Sequence, residues 1–259
     1  MHIDDRCPLL LLSPLGTSVT AFAPIIGPLS FEQPVIVHEH RGRGLAPRHP
    51  GPLTIADLGG GAARTLDRNG CGRALVCGFA LGGMVALGLA AHRADRAAGL
   101  CAACSSAATG NSAAYQRRPA AIRGRGLGEL SDETVTAWVT RERAAAHPPL
   151  TARLAAMVAS VDPDSSAACC GAIARFDLTP DLTGIFVPTL VISASDDRGL
   201  PPHHSVALSD AIAGVGYVEI AGTAHLAWLE QPDGVVAALR DHLHGDLALL
   251  DYAQTRRET

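Results

Sequence analysis

The sequence predicts an α/β fold in which a mostly parallel, doubly wound sheet is covered by helices. Short apolar runs of strand length, bounded by Gly, Pro and Asn, alternate with Ala-rich stretches of helical character, the pattern of parallel strands joined by crossover helices. The chain has 259 residues, enough for one domain to bury roughly 70 to 75% of its unfolded surface without disulfide or structural metal. No apolar run approaches the ~18 residues of a membrane span.

The strands are expected at Pro8 to Ser13, Pro34 to His40, Ala74 to Gly78, Gly99 to Cys104, Pro188 to Ser193 and Tyr217 to Ala221. Between the fourth and fifth, about Asn111 to Pro180, the chain has helical patterning without a strand and reads as an inserted helical lid. Within it, SDETVTAWVTRERAAA carries a helix-start signal, with Ser131 as cap and acidic side chains in the first turn. The last core helix follows Gln231-Pro232, Pro being tolerated in a first turn, and runs to about His244. The resulting division is a core over 1–110 and 181–246, a lid over 111–180 and a C-terminal tail over 247–259.

Charge and cysteine content narrow the function. The 21 cationic residues, all arginine, stand against 25 acidic ones, for a net charge of -4. Nucleic-acid binders usually carry a clustered basic excess and a pI above about 9, so small molecules are the expected partners, with neither nucleic acid nor membrane. Absence of lysine and abundance of alanine fit a GC-rich coding sequence. Seven cysteines, an odd number set in apolar segments, and an N-terminal stretch without secretion-signal features predict a reducing, cytoplasmic setting.

The most specific local signal is ALVCGFALGGMVALGLAAH: an apolar strand, a Gly-rich turn, then an apolar helix. In a nucleophile elbow the tip residue sits on strained backbone, so small residues are needed two before and two after it. Gly78 and Gly82 meet that need around Ala80. The motif reads G-x-A-x-G where a serine hydrolase has G-x-S-x-G.

With LLLSPLGTS, the HRGRGLA segment at His40 to Ala46, CGFALGGMVAL and AGTAHLAWLEQP, the chain resembles the α/β-hydrolase superfamily, and within it the 3-oxoadipate enol-lactonase group, from about Pro8 to His244. The resemblance puts the nucleophile position at Ala80, the triad acid at Asp197 with Asp196 as the alternative, and the triad histidine at His225. The order of tip residue, acid and histidine matches the fold. It also implies an oxyanion hole from the backbone N–H groups of Leu81 and Leu15; Pro14, where relatives carry Ser or Gly, cannot donate. No metal or organic cofactor is implied. Relatives usually begin with two antiparallel strands, whereas about seven residues precede Pro8 here. The hairpin is therefore expected to be missing, leaving the Pro34 to His40 strand near a sheet edge open to self-association as a homodimer.

Other residues have plainer readings. Cys101 and Cys104 lie three apart on a strand, so they face opposite ways and share neither metal nor disulfide. Cys169 and Cys170 read as small apolar fillers, His38 and His40 as a solvated strand end with pocket lining by one of them as the alternative, and His203 and His204 as the opening of a surface helix. Trp138 and Arg123 are the candidate substrate contacts. Trp138 equally reads as an anchor of the lid on the core, and the lid arginines as a solvated face.

Three explanations fit Ala80. It is a Ser→Ala substitution made to hold a ligand without turnover; or a native alanine in a protein that uses His225 and Asp197 as a general base for elimination, isomerisation, decarboxylation or cyclisation; or part of a non-catalytic ligand binder. The expected substrate is a small ester, lactone or related carbonyl compound.

Overall fold

A computed structural model describes residues 7–49, 51–109 and 111–255. The expected apolar runs form β1 (Leu9–Leu12), β2 (Val35–His38), β3 (Ala74–Phe79), β4 (Ala97–Ala103), β5 (Thr189–Ala194) and β6 (Gly216–Ile220). They make one sheet in the order β2-β1-β3-β4-β5-β6 with every neighbouring pair parallel. The expectation of a missing leading hairpin falls largely on residues 1–6, which lie outside the described residues. β2 pairs only with β1 among the described residues, which puts it at an edge.

The four leucines of β1 explain why the run lacks alternation. Leu9 and Leu11 pack with Phe22, Ile25 and Leu29 on one face, and Leu10 and Leu12 with Leu58, Leu66 and Met84 on the other. A strand buried on both faces must be apolar throughout. The first face is covered by α1 (Ala23–Ser30) and later by α10 (Pro232–Thr255); the second by α2 (Ile55–Arg68), α3 (Leu81–His92) and α8 (Pro202–Ala211). α2 begins in a capping box, with the Thr54 hydroxyl accepting from the Asp57 N–H and the Asp57 carboxylate accepting from the Thr54 N–H.

Between β4 and β5 run α4 (Ser112–Trp138), α5 (Arg141–Ala146), α6 (Pro148–Ser160) and α7 (Pro163–Ala174). The helix breaks differ from those expected. Ser131 is not a cap: it lies within α4, its hydroxyl donating back to the Gly128 carbonyl at 2.7 Å. The preceding break is at Gly126 (φ 78°), and a second falls at Val139, after which the Thr140 hydroxyl accepts from the Arg143 N–H and caps α5. Two breaks divide what the sequence pattern presents as one start. After the short α9 (Ala227–Glu230), α10 continues past His244 to Thr255.

His38 and His40 correct a second expectation. They are buried, 9% and 0% exposed, because α2 packs against β2 and the loop after β2 is tied to the start of α7, its Gly42 carbonyl accepting from the Asp162 N–H at 3.0 Å. The Thr65 hydroxyl of α2 meets His38 Nδ1 at 2.8 Å, and the two imidazoles meet edge to face with centroids 5.2 Å apart. Burial, reinforced by Arg43, Arg64 and Arg68, pushes the His38 pKa down to about 4; burial first, then His38 and Arg43, pushes His40 well below the ordinary histidine value.

Candidate active site

Ligand crevices in open α/β sheets form beyond the carboxyl ends of the strands, where the chain reverses its winding. Here β1 leads outward to β2, and the chain then returns to place β3 on the other side of β1. The loop after β1 and the turn after β3 flank that point, and they carry Leu15 and Ala80.

Ala80 joins β3 to α3 with φ 51° and ψ -112°, a left-handed conformation that strains an L-residue by about 1–3 kcal/mol. Its surroundings over-determine it. The Ala80 N–H donates to the Ala103 carbonyl at 2.9 Å, and its own carbonyl accepts from the Ser105 hydroxyl at 2.8 Å and the Met84 N–H at 3.1 Å. A Cβ on Gly78 would lie 2.0 Å from the Gly82 carbonyl oxygen, one on Gly82 would lie 2.2 Å from the Leu12 oxygen, and one on Gly83 would lie 2.5 Å from the Ser105 side chain. The glycines are therefore required by contact between β3, α3 and β1. Leu81 is the first residue of α3, and its N–H has no intrahelical acceptor and adds the positive end of the helix dipole.

Leu15 is half-buried in the loop 13–17, which turns at Gly16 (φ 84°). Trp138 packs directly over this turn: a Cβ on Gly16 would come within 2.9 Å of the indole. The Trp138 carbonyl also accepts from the Leu226 N–H at 3.0 Å. Trp138 thus touches the β1 loop through its side chain and the histidine loop through its backbone.

His225 follows β6, and its Nδ1 lies 2.7 Å from Asp197 Oδ2. The Asp197 side chain is fully buried, and its Oδ1 accepts from the Gly199 and Leu200 N–H groups at 2.8 and 2.9 Å. With Oδ1 held by two backbone donors, the carboxylate presents Oδ2 to the ring as an acceptor, which favours the tautomer with the proton on Nδ1 and leaves Nε2 as the basic nitrogen. The structure pairs Asp197, rather than Asp196, with the histidine. The Asp196 carboxylate accepts from the adjacent Ser195 hydroxyl at 2.7 Å, while its N–H donates to the Thr223 carbonyl.

Arg123 is not brought to this group. It is exposed on α4, in a surface groove of about 380 Å³ with Ile122, Gly126, Leu127 and Ala159. Of the other α4 arginines, Arg118 donates to Thr134 and Arg125 pairs with Glu129. Two participants escaped the sequence reading. Glu230 accepts from the Ala224 N–H at 2.8 Å through Oε1 and from the Thr140 hydroxyl at 2.6 Å through Oε2, tying the histidine loop to the start of α5. Arg43, 2% exposed, donates from Nη1 to the Pro14 carbonyl at 3.2 Å. A glutamate six residues after Ala224 was a local signal for the first; Arg43 lies in the HRGRGLA segment, where no local sign marks this side chain for burial against Pro14.

Burial pushes Cys170 up to about 12 and Cys104 well above the ordinary thiol value, so neither forms a thiolate near neutral pH. Cys101 neighbours Cys77 across the β3–β4 register, a contact between strands that the spacing to Cys104 does not reveal. Among the described residues no group of three or more His, Cys, Asp or Glu side chains is placed to hold a metal, and no helix is long and apolar enough to cross a membrane.

A model described as the alpha/beta hydrolase family matches residues 9–238. The chain is 28% identical to 3-oxoadipate enol-lactonase 2 of Acinetobacter baylyi, over 88% of this chain and 85% of that protein. The enol-lactonase from Burkholderia xenovorans LB400 superposes with a TM-score of 0.89 at 31% identity, over 92% of both chains. A thermophilic esterase from Thermogutta terrifontis, with malate bound, does so with a TM-score of 0.87 at 27% identity, over 93% of this chain and 90% of that one.

Proposed function

The chain belongs to the alpha/beta hydrolase family, and from that premise we propose that its cleft receives a small ester, lactone or related carbonyl compound, with Ala80 in the place of the attacking serine. The observation that carries this reading is the buried Asp197–His225 pair, 2.7 Å apart, kept together with a strained elbow at Ala80. With serine at position 80, its Oγ would attack the carbonyl carbon while His225 Nε2 takes the hydroxyl proton. The Leu15 and Leu81 N–H groups would hold the resulting oxyanion. Collapse would expel the alcohol, protonated by His225, and water would then release the acid by the same steps in reverse roles. With alanine no acyl-enzyme forms, as expected of a Ser→Ala substitution.

The test is Ala80→Ser, assayed on short esters and enol-lactones. Losing a triad nucleophile costs about 10⁶-fold in subtilisin, so the expected result is hydrolysis with an acyl-enzyme burst. Absence of any gain across the panel would overturn the acyl-transfer reading.

A second reading is favoured by the completeness of the pair without a nucleophile. His225 would remove a proton adjacent to a carbonyl, Asp197 would stabilise the imidazolium, and the two N–H groups would hold the enolate. The chain with Ala80 would then turn over its substrate and lose that activity in His225→Ala; equal turnover in the variant would refute it.

A further inference from the structure

The backbone on either side of His225 is held from outside its own loop. The Ala224 N–H, just before it, donates to Glu230 Oε1 at 2.8 Å, and the Leu226 N–H, just after it, donates to the Trp138 carbonyl at 3.0 Å. Both holders belong to one junction. Trp138 ends α4, and the second Glu230 oxygen, Oε2, accepts from the Thr140 hydroxyl at 2.6 Å and from the Thr140 N–H at 3.2 Å. Arg143 extends the junction into α5, its Nη2 donating to the Leu229 carbonyl at 3.0 Å. The link between α4 and α5 is thus tied to the segment 224–230 along its length.

These polar ties decide where α5 sits. No residue of α5 is buried, so apolar burial contributes little to its seat. Val139 and Thr140 also border a surface cavity of about 420 Å³ with Asp132, Val135, Thr136 and Thr151, so little packing on that side opposes their displacement. The Thr140 hydroxyl accepts the Arg143 N–H that starts α5, which directs its single proton to Glu230. A carboxylate accepts through both oxygens at once, so one side chain can bind the link through Oε2 and the histidine loop through Oε1. A neutral amide has one acceptor oxygen and serves only one of the two.

We propose that Glu230 is a positioning residue for His225: its carboxylate joins the Ala224 peptide to the α4–α5 link, so that the ring is held against Asp197 only while that link is seated. The inference rests on the reading that His225 is the base of this site. Its consequence is a conditional base. Anything that displaces the start of α5 also releases the imidazole, with Ala80 and Asp197 themselves untouched.

Hydrogen exchange on the ¹⁵N-labelled chain with Ala80 tests this without a substrate, because native-state exchange reads local opening. Glu230→Ala should speed exchange of the Ala224 amide and of the His225 Nδ1–H by about 10- to 100-fold, the worth of a charge-assisted hydrogen bond. The β3 amides should keep their protection. Glu230→Gln should give a smaller increase at the same two protons. So should Thr140→Val, which leaves the carboxylate in place and removes its hydroxyl donor. An unaltered Nδ1–H in Glu230→Ala or in Thr140→Val would overturn the proposal, and equal acceleration in β3 would reduce Glu230 to a general stabiliser and overturn it as well. Should Glu230→Ala not fold, Glu230→Gln and Thr140→Val decide. In the Ala80→Ser background, Glu230→Gln should lower kcat by about 10-fold with KM little changed; a rise in KM alone would assign Glu230 to ligand binding and refute the positioning role. If Ala80→Ser hydrolyses nothing, the acyl-transfer reading falls and the exchange results still decide the role of Glu230. If it hydrolyses esters while Glu230→Gln alters neither kcat nor Nδ1–H exchange, the Glu230 role falls alone.

Discussion

Asp197→Asn separates the proton-placing role of this carboxylate from its bulk. The side chain is fully enclosed, and Asn fits the same volume, so the question is which way the amide turns. Oδ1 accepts two backbone N–H groups, from Gly199 and Leu200; placing the NH₂ there would forfeit both bonds and set donors against donors, at about 2–3 kcal/mol. The carbonyl of Asn therefore stays on the backbone side and its NH₂ takes the position of Oδ2, 2.7 Å from His225 Nδ1. Nδ1 must then accept, and the ring proton moves to Nε2. A preference of 2–3 kcal/mol is roughly a 30- to 150-fold bias, so almost all molecules should hold the inverted tautomer, blocking the basic nitrogen. In the Ala80→Ser background the expected loss of hydrolysis is about 10⁴-fold, as in the corresponding protease substitution. The direct assay is imidazole ¹⁵N chemical shift in histidine-labelled protein, which needs no substrate. Persistence of the Nδ1–H tautomer in Asp197→Asn would refute the reasoning, whatever the activity.

Three further outcomes follow from the packing. Gly78→Ala should destabilise the chain by more than about 4 kcal/mol in urea unfolding, because its Cβ would sit 2.0 Å from a backbone oxygen, whereas Gly59→Ala within α2, with Leu89 no closer than 3.5 Å, should stabilise by about 0.5–1 kcal/mol. Trp228→Phe should cost about 1–3 kcal/mol in the same measurement, since the buried indole N–H donates to the Ala21 carbonyl at 2.9 Å and Phe leaves that acceptor unpaired. Lowering the pH from 7 to 4.5 should weaken the fold. The His38 pKa is depressed to about 4 while the unfolded chain titrates near 6.5, so the unfolded state binds the proton first and stability falls across that window by about 2.5 kcal/mol from His38 alone. His38→Gln should flatten the pH dependence of the urea midpoint; an unaltered slope would show that His38 is not held neutral.

The strands and the elbow were legible because their signals are local. A run such as Leu9–Leu12 is apolar on both pleats, and the Gly78–Ala80–Gly82 spacing encodes a close approach that glycine alone permits. His38 and His40 were not legible: a histidine at a strand end looks solvated until α2 is laid over it. Ser131 misled because its side chain can bond locally inside a helix as well as before one. Arg123 and Arg43 show the same limit in the site itself. Both stand in arginine-rich segments, and only the tertiary arrangement exposes the first and buries the second beside Pro14.

The elbow owes its shape to its neighbours and nothing to a hydroxyl at position 80 itself. Ala80 is held in its left-handed turn by the Ala103 and Ser105 contacts and by the glycines on either side, so the scaffold has already met the conformational cost of presenting a side chain at the crevice. The residue at this one position would therefore determine the repertoire: serine or cysteine would add an acyl-accepting atom, aspartate an alkyl-accepting carboxylate, and alanine would leave the neighbouring histidine without a nucleophile to activate. The turn is in this sense a socket, able to present a different side chain without refolding the protein around it.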